Sequence, residues 1–326
     1  CVDSTFRCRP FRGYYPTDCS GYTTRFSYDR SGALVRETNA LGQSTQYLRN
    51  ILGEIKTIIY PDGQSHRYEY NALGQVTQHT NEAGLNAVWE YTPRGERRSF
   101  TDRLKRSIQY TYNRYGDLIR LTNHNGASYR FERDSEGRLV KEHRLNGIVR
   151  ALHYNAHDEI IQQILVGTDE RKETIDLVRD PVGRLTQKRT RCATTDYQYD
   201  VLNNLLAIQK QPTEQGQVLG IHSSSIDLKY DALGRLITES VNDLSSEFTY
   251  DALGHLSGMH LPYGQHLNHL MYGSGHIHQI QLDGQVVSDF ERDALHREVQ
   301  RTQGQRLLHT QYDHRGRIQS QLSYQT

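Results

Sequence analysis

No run of about 18 apolar residues occurs anywhere in the 326-residue chain, which excludes a membrane-spanning helix. Apolar residues are scarce in general. They make up 35% of the chain, and the mean hydropathy of −0.77 is low for this length, so a thick globular core is not expected. What apolar surface exists is unusual in kind. The 22 Tyr far outnumber the 7 Phe, and the buried layer is expected to be thin and rich in hydroxyl-bearing rings. An excess of one charge is also missing. Lys and Arg total 39 against 38 Asp and Glu, with the signs interspersed, which argues against a dedicated nucleic-acid or anionic-membrane surface. The one basic concentration, Arg94, Arg97, Arg98, Arg103, Lys105 and Arg106, lies beside Glu96 and Asp102 and reads as a solvated strand edge. Cysteine is sparse and lopsided, with Cys1, Cys8 and Cys19 at the head and Cys192 alone. Those spacings match no zinc pattern, and a cross-link would have to reach from the head deep into the chain. Reduced or incidental thiols are therefore expected. There is no initiating Met or signal peptide, and a fragment or processed piece is expected. No 3.6-residue apolar period persists, so helix should be scarce.

What the chain does have is a phrase that recurs at a nearly fixed step. It appears as Tyr28-Asp29 with Gly32, Tyr70-Asn71 with Gly74, Tyr112-Asn113 with Gly116, Tyr230-Asp231 with Gly234, Tyr250-Asp251 with Gly254 and Tyr312-Asp313 with Gly316. The glycine slot falls at 32, 53, 74, 95, 116, 137 and 158, with Asp158 in the last. A constant period of this size means a repeat architecture. An Asp or Asn three residues before the slot can accept a hydrogen bond from the backbone two residues on, and glycine supplies positive φ after a type I turn. The phrase is thus a hairpin turn with a bulge. Halfway between lie second turn signals at Gly42, Pro61-Asp62-Gly63, Asn81 to Gly84, Asn125-Gly126 and Asn146-Gly147. Each half-repeat leaves room for one strand and one turn.

Between turns, segments such as Arg67-Tyr68-Glu69-Tyr70 and Ser107-Ile108-Gln109-Tyr110-Thr111-Tyr112 alternate with period two. The position two after the glycine is usually Leu, Ile or Val, from Leu34 and Ile55 to Leu256, Ile277 and Ile318. That column is expected to be a core-facing stripe along a long antiparallel sheet. The slots continue as Gly183, Asn203, Gly234, Gly254, Gly275, His296 and Gly316, and the excess length falls near 168–174 and 211–225. Both segments are expected to be lengthened hairpin loops. The organisation expected is an irregular lead-in at 1–21 and an array at 22–326 of about 28 strands.

The phrase Tyr230-Asp231-Ala232-Leu233-Gly234-Arg235-Leu236 resembles the consensus of the YD-repeat family, also called Rhs repeats. The run from Tyr272 to Ile280, with Leu282-Asp283-Gly284 and Asp289 to Val299, resembles the core of bacterial Rhs proteins in particular. The resemblance implies an all-β array of hairpins whose sheet spirals as part of a hollow shell. It implies as partners an enclosed C-terminal toxin polypeptide and secretion-apparatus proteins, often of type VI secretion, in bacterial competition. It places the chain in the bacterial cytoplasm before export and then outside or on the cell surface. Teneurins and insecticidal toxin-complex subunits share the repeat, which leaves an alternative: an extracellular module binding carbohydrate or a cell-surface protein. No cofactor, metal or nucleic acid is expected, and the chain is expected not to be an enzyme. Arg179-Asp180-Pro181-Val182-Gly183-Arg184-Leu185 is only superficially similar to the family's self-cleavage sequence, because Arg184 intervenes and no Gly-Gly pair follows. It reads as an ordinary repeat turn. The concentration of His255, His260, His266, His269, His276, His278 and His296 has no carboxylate at a fixed offset, and a structural reading is preferred to a metal site. Nothing at either end resembles a capping unit, and self-association of the isolated chain is expected.

Overall fold

The computed structural model describes residues 15–18 and 20–325. These form 28 strands, from Arg25–Tyr28 to Ile318–Gln325, and one short helix, Glu214–Val218. The strands belong to one antiparallel sheet. Consecutive strands pair, as in Ser65–Tyr70 with Val76–Thr80 and Ser224–Tyr230 with Leu236–Val241. Helix is scarce because alternation with period two, broken every ten or eleven residues by a turn, never presents a helical stripe.

The chain divides into two compact units, residues 1–88 with 249–326, and residues 89–248. The second unit is a meander in which strands pack on their neighbours in sequence, broken once by the helix Glu214–Val218. The first contains two runs of strands, one from each end of its sequence, and these touch through their turns.

The turns explain the period. At Asp29 the backbone N–H donates to Ala33 O (2.9 Å), and the Gly32 N–H donates to Asp29 O (3.1 Å). The Asp29 carboxylate accepts from Ser31 N and Ala33 N. Gly32 sits at φ +84, the left-handed region that a Cβ disfavours. The residue before the turn is bulged, so that Tyr28 pairs with Leu34 after a register shift. Where the slot is not glycine, Lys105, Asp158, Asn203 and His296 adopt the same positive φ. Two-residue turns replace this form at Asn242-Asp243 and Asp283-Gly284, with φ positive at both central residues, as type I′ hairpins require.

Four expectations about length and burial are revised. The excess near 168–174 lengthens the strands rather than the loop: Ile160–Val166 and Lys172–Arg179 flank an ordinary five-residue turn closed by Gly167 N to Arg171 O. The segment 211–225 is not a bare loop. Thr213 caps the helix Glu214–Val218 by accepting from Gly216 N, and Gly216 lies against the Cys192 carbonyl, where a Cβ would come within 1.9 Å. Within the described part of 1–21, Asp18 to Gly21 already forms a turn of the repeated form, bracketed by a Thr17–Thr23 bridge.

The column two after the glycine is half-buried rather than core, and Ile318 is 61% exposed. Among the described residues no large side chain is fully buried; the covered positions are small strand residues such as Ala87, Ala193 and Ala207, with Leu152, Ser288 and Thr310. A single-layer sheet offers nothing else, since each side chain is covered only by neighbours on the same face.

Candidate functional site

The expected turn residues form a ladder along one edge of the sheet. Asn71, Asn113, Asp231, Asp251 and Asp313 each accept from the backbone two and four residues on. Gly74, Gly116, Gly234, Gly254 and Gly316 all have positive φ. The tyrosines tie one repeat to the one before. Tyr70, Tyr112, Tyr230 and Tyr312 donate their hydroxyls to Ile55 O, Arg97 O, Leu205 O and Glu298 O at 2.7–3.0 Å. Tyr28 is 42% exposed. Where the column carries arginine, Arg49, Arg179 and Arg292 reach the corresponding carbonyls of Leu34, Ile160 and Ile277.

The first residue of each turn also chooses its partner four residues on. Asp102, Asp134, Asp180, Asp231, Asp293 and Asp313 each take an arginine there, with Nε 2.7–2.8 Å from the carboxylate. Asn39, Asn50, Asn71, Asn113 and Asn155 take Gln, Glu or Asp instead. A carboxylate can only accept, whereas an amide NH₂ needs an acceptor. The correlation is visible in the sequence but emerges only once the turn is known to be five residues long. Several of these arginines lie over the ring that opens the next turn, including Arg138 on Tyr154, Arg184 on Tyr199 and Arg297 on Tyr312 at 4.4–5.1 Å.

The chemistry concentrates where turns of the two runs meet in the unit of 1–88 and 249–326. Arg315 occupies the turn apex filled elsewhere by Leu73 (68% exposed) and Leu233 (78% exposed), yet its side chain is only 8% exposed. Its Nε donates to Asp62 Oδ2 (2.8 Å), Nη2 donates to Gln64 Oε1 (2.8 Å), and Nη1 lies 3.3 Å from Glu82 Oε1. The guanidinium stands 4.4 Å over the Tyr60 ring. His66 joins the same node, with Nε2 2.6 Å from Glu82 and Nδ1 3.2 Å from the Tyr60 hydroxyl. Its own backbone N–H, then His66 and Arg315, hold the Glu82 carboxyl down at about 2. An ionised Glu82 accepts only, so His66 Nε2–H donates to it, which leaves Nδ1 to meet the Tyr60 hydroxyl. Arg315 contacts both ends of this hydroxyl–imidazole–carboxylate chain, lying over the Tyr60 ring and beside Glu82.

A second node lies along the same seam. His296 Nε2 meets Asp18 Oδ2 at 2.6 Å, His276 stacks on His296 at 4.2 Å, and Tyr22 meets His296 edge-on. Gln43 Nε2 and His314 Nδ1 lie 3.2 Å apart between the nodes. The seam was missed by sequence reasoning because partners 253 residues apart leave no mark on a 21-residue period.

The histidine-rich segment separates into pairs: His260 stacks on His266, while His276 stacks on His296. Among the described residues no group of three or more His, Cys, Asp or Glu is placed to hold a metal ion. Cys192 is a free thiol; Cys1, Cys8 and Cys19 lie outside the described residues. No helix of the described residues is long and apolar enough to cross a membrane. Asp180, the expected ordinary turn, accepts from Val182 N and Arg184 N and pairs with Arg184.

A family model described as RHS Repeat matches residues 15–45, 28–65, 52–85, 112–149 and 214–266. The double-stranded DNA deaminase toxin A of Burkholderia cenocepacia (strain H111) is 39% identical over 308 residues, which is 92% of this chain and 22% of that protein. The chain thus spans about a fifth of the relative's length. Two solved structures share the fold. The TcdB2-TccC3-TEV crystal structure has a TM-score of 0.61 at 12% identity, covering 94% of this chain and 17% of that one. The TcdB2-TccC3-Cdc42 structure has a TM-score of 0.60 at 13% identity, covering 93% and 17%. The expectation that the chain is not an enzyme is corrected by this comparison, because its curated relative is named for a catalytic activity on DNA. Repeat turns and charge balance describe a scaffold's surface and carry no information on that activity.

Proposed function

Since the chain belongs to the YD-repeat (Rhs) family, we propose that its sheet is a wall segment of a shell enclosing a toxin polypeptide. The supporting observation is the single-layer sheet: strands pack on neighbours in sequence, and no large side chain of the described residues is fully buried. Such a sheet has no second layer of its own and is suited to line a space. Its two faces differ. In Ser65–Tyr70, His66, Tyr68 and Tyr70 are half-buried on one side, and Arg67 and Glu69 are exposed on the other. The ring-bearing face suits contact with an incompletely folded polypeptide without one specific pocket. The toxin that such a wall serves has an enzymatic activity, double-stranded DNA deamination, on the pattern of the Burkholderia relative's name. Secretion-apparatus partners, a role in bacterial competition, and passage from the bacterial cytoplasm to the outside belong to the same reading.

The experiment is limited proteolysis of the full-length gene product, with deamination of double-stranded DNA assayed on the intact and the cleaved protein. Enclosure predicts a toxin segment that resists protease until the repeat segment is cut. A toxin segment digested as fast as a free polypeptide, with the repeats intact, would overturn the proposal.

A further inference from the structure

Exposed arginines in the strands are set among neutral neighbours. Arg36 stands between Ser27 and Gln46, and Arg67 between Thr57 and Thr80. Where two full charges meet across strands their signs are opposite, as in Glu132 with Lys141, Glu142 with Arg150 and Asp176 with Arg189. One pairing breaks this pattern. Arg120 of the strand Leu118–Asn123 lies directly opposite Arg130 of the strand Ser128–Arg133, and both side chains are exposed.

Residues directly opposite share a face, with Cβ atoms about 4.5–5.5 Å apart, and like charges so placed repel. Nothing in the chain answers them. Neither guanidinium has an ion-pair partner among the described residues. Glu132 shares the face, two residues along from Arg130, but it is already engaged, with His143 Nε2 2.7 Å and Lys141 Nζ 3.9 Å from its Oε1. The patch is narrow. Beyond Arg120 the cross-strand row runs to Thr111, and beyond Arg130 it runs to His143 and then Val149. The row beside it, Gln109, Thr122 and Ser128, is neutral.

We propose that Arg120 and Arg130 form a docking site for an acidic polypeptide segment, with a neighbouring Asp or Glu side chain of that segment on each guanidinium. A carboxylate matches the guanidinium fork with two parallel hydrogen bonds, which offsets the repulsion between the arginines. The hydroxyls of Thr111, Thr122 and Ser128 flank the pair as further donors. Nucleic acid fits this face less well. Its phosphates follow one another without a break and gain from a run of cations, whereas the charge here is two residues wide and Glu132 lies beside it. Tyr129 and Phe131 alternate with Arg130 along the strand and so face the other way. The site is therefore independent of what the ring-bearing face encloses.

Fluorescence anisotropy of the whole chain with a labelled peptide of alternating Glu and Ser residues, at about 50 mM salt, tests the site. The peptide should bind the wild type, and the double variant Arg120→Thr, Arg130→Thr should weaken binding by at least about tenfold. Arg67→Thr, which removes a lone exposed arginine, should leave binding unchanged. The repulsion can also be read without peptide. Amide exchange in Leu118–Asn123 and Ser128–Arg133 should slow about twofold in Arg120→Thr. The proposal is overturned by a peptide that does not bind, by a double variant that binds as wild type does, or by an Arg120→Thr hairpin that exchanges no more slowly. Duplex DNA of equal charge that binds more tightly than the peptide, and is lost in the same double variant, overturns the choice of partner.

Discussion

Two regions built from one turn are held in different ways. In residues 89–248 the turns that open on Asp or Asn are locked by local partners: the side chain gathers backbone N–H groups, as at Asn113 and Asp231, and tyrosine hydroxyls such as those of Tyr112 and Tyr230 fasten one repeat to the last. In residues 1–88 with 249–326 the same locks operate, but some turns also carry contacts between residues more than 250 apart, as from Arg315 to Asp62. The apex residue makes the difference. Leu233 projects into solvent at 78% exposure, whereas Arg315 in the equivalent place is engaged on every side. Backbone form and interface role are therefore set by different residues of one turn, and either can change without the other.

The largest expected effect comes from erasing that difference. Arg315→Leu gives the seam turn the apex of an ordinary turn and removes charge-assisted bonds to Asp62 and Glu82, at a cost of about 2 kcal/mol. The reciprocal Leu233→Arg should change stability by less than about 0.5 kcal/mol. Chemical denaturation with exchange read separately in the two units checks both.

The next effect should be common to both regions. Gly234→Val places a β-branched residue at φ +77 with nothing within 4 Å of the new Cβ, so the cost of about 1–2 kcal/mol is one of backbone conformation alone. Gly74→Val adds an approach to Glu54 Oε1 at 2.8 Å, the far end of a flexible side chain. Ala72→Ser should be silent, and thermal unfolding distinguishes the three. Tyr230→Phe comes below these, at about 1 kcal/mol, since it strands the Leu205 carbonyl without altering the turn.

The smallest effect separates the regions by pH. Asp231 is lowered, first by the backbone N–H of Arg235, and Asp313 lies at about 2, where burial opposes but Arg317 prevails. Each contributes stability above the ordinary 3.8 that is lost as pH falls toward the folded value. Both units should therefore weaken below about pH 4, and in the unit containing His276, whose ring is held below 6.5 chiefly by burial, stability should also fall as pH drops from 6.5 toward the folded value. An acid titration followed by exchange in each unit reads this directly.

Much of the fold was legible. The 21-residue step located the turns, the Asp or Asn and the glycine gave their form, and period-two alternation gave strands whose expected number, about 28, matches the 28 observed. Departures arose where a different residue met the same geometric demand. Lys105 and His296 hold positive φ without being glycine, and the extra residues near 170 extended two strands, whose pairing runs on from Gln162 with Asp176 to Val166 with Lys172. The pairing four residues on was present as Asp with Arg and Asn with Gln or Glu, and needed only the turn length to be read. The seam was illegible in principle, because nothing in a repeat tells residue 62 that it will meet residue 315.

The wall reading requires that the two runs of the first unit be joined in this register, and a double-mutant cycle on Arg315 and Asp62 tests that most directly. Arg315→Leu, Asp62→Asn and the double variant should yield a coupling of about 1–2 kcal/mol in the stability of that unit. A coupling indistinguishable from zero, with both single variants folded, would contradict the seam.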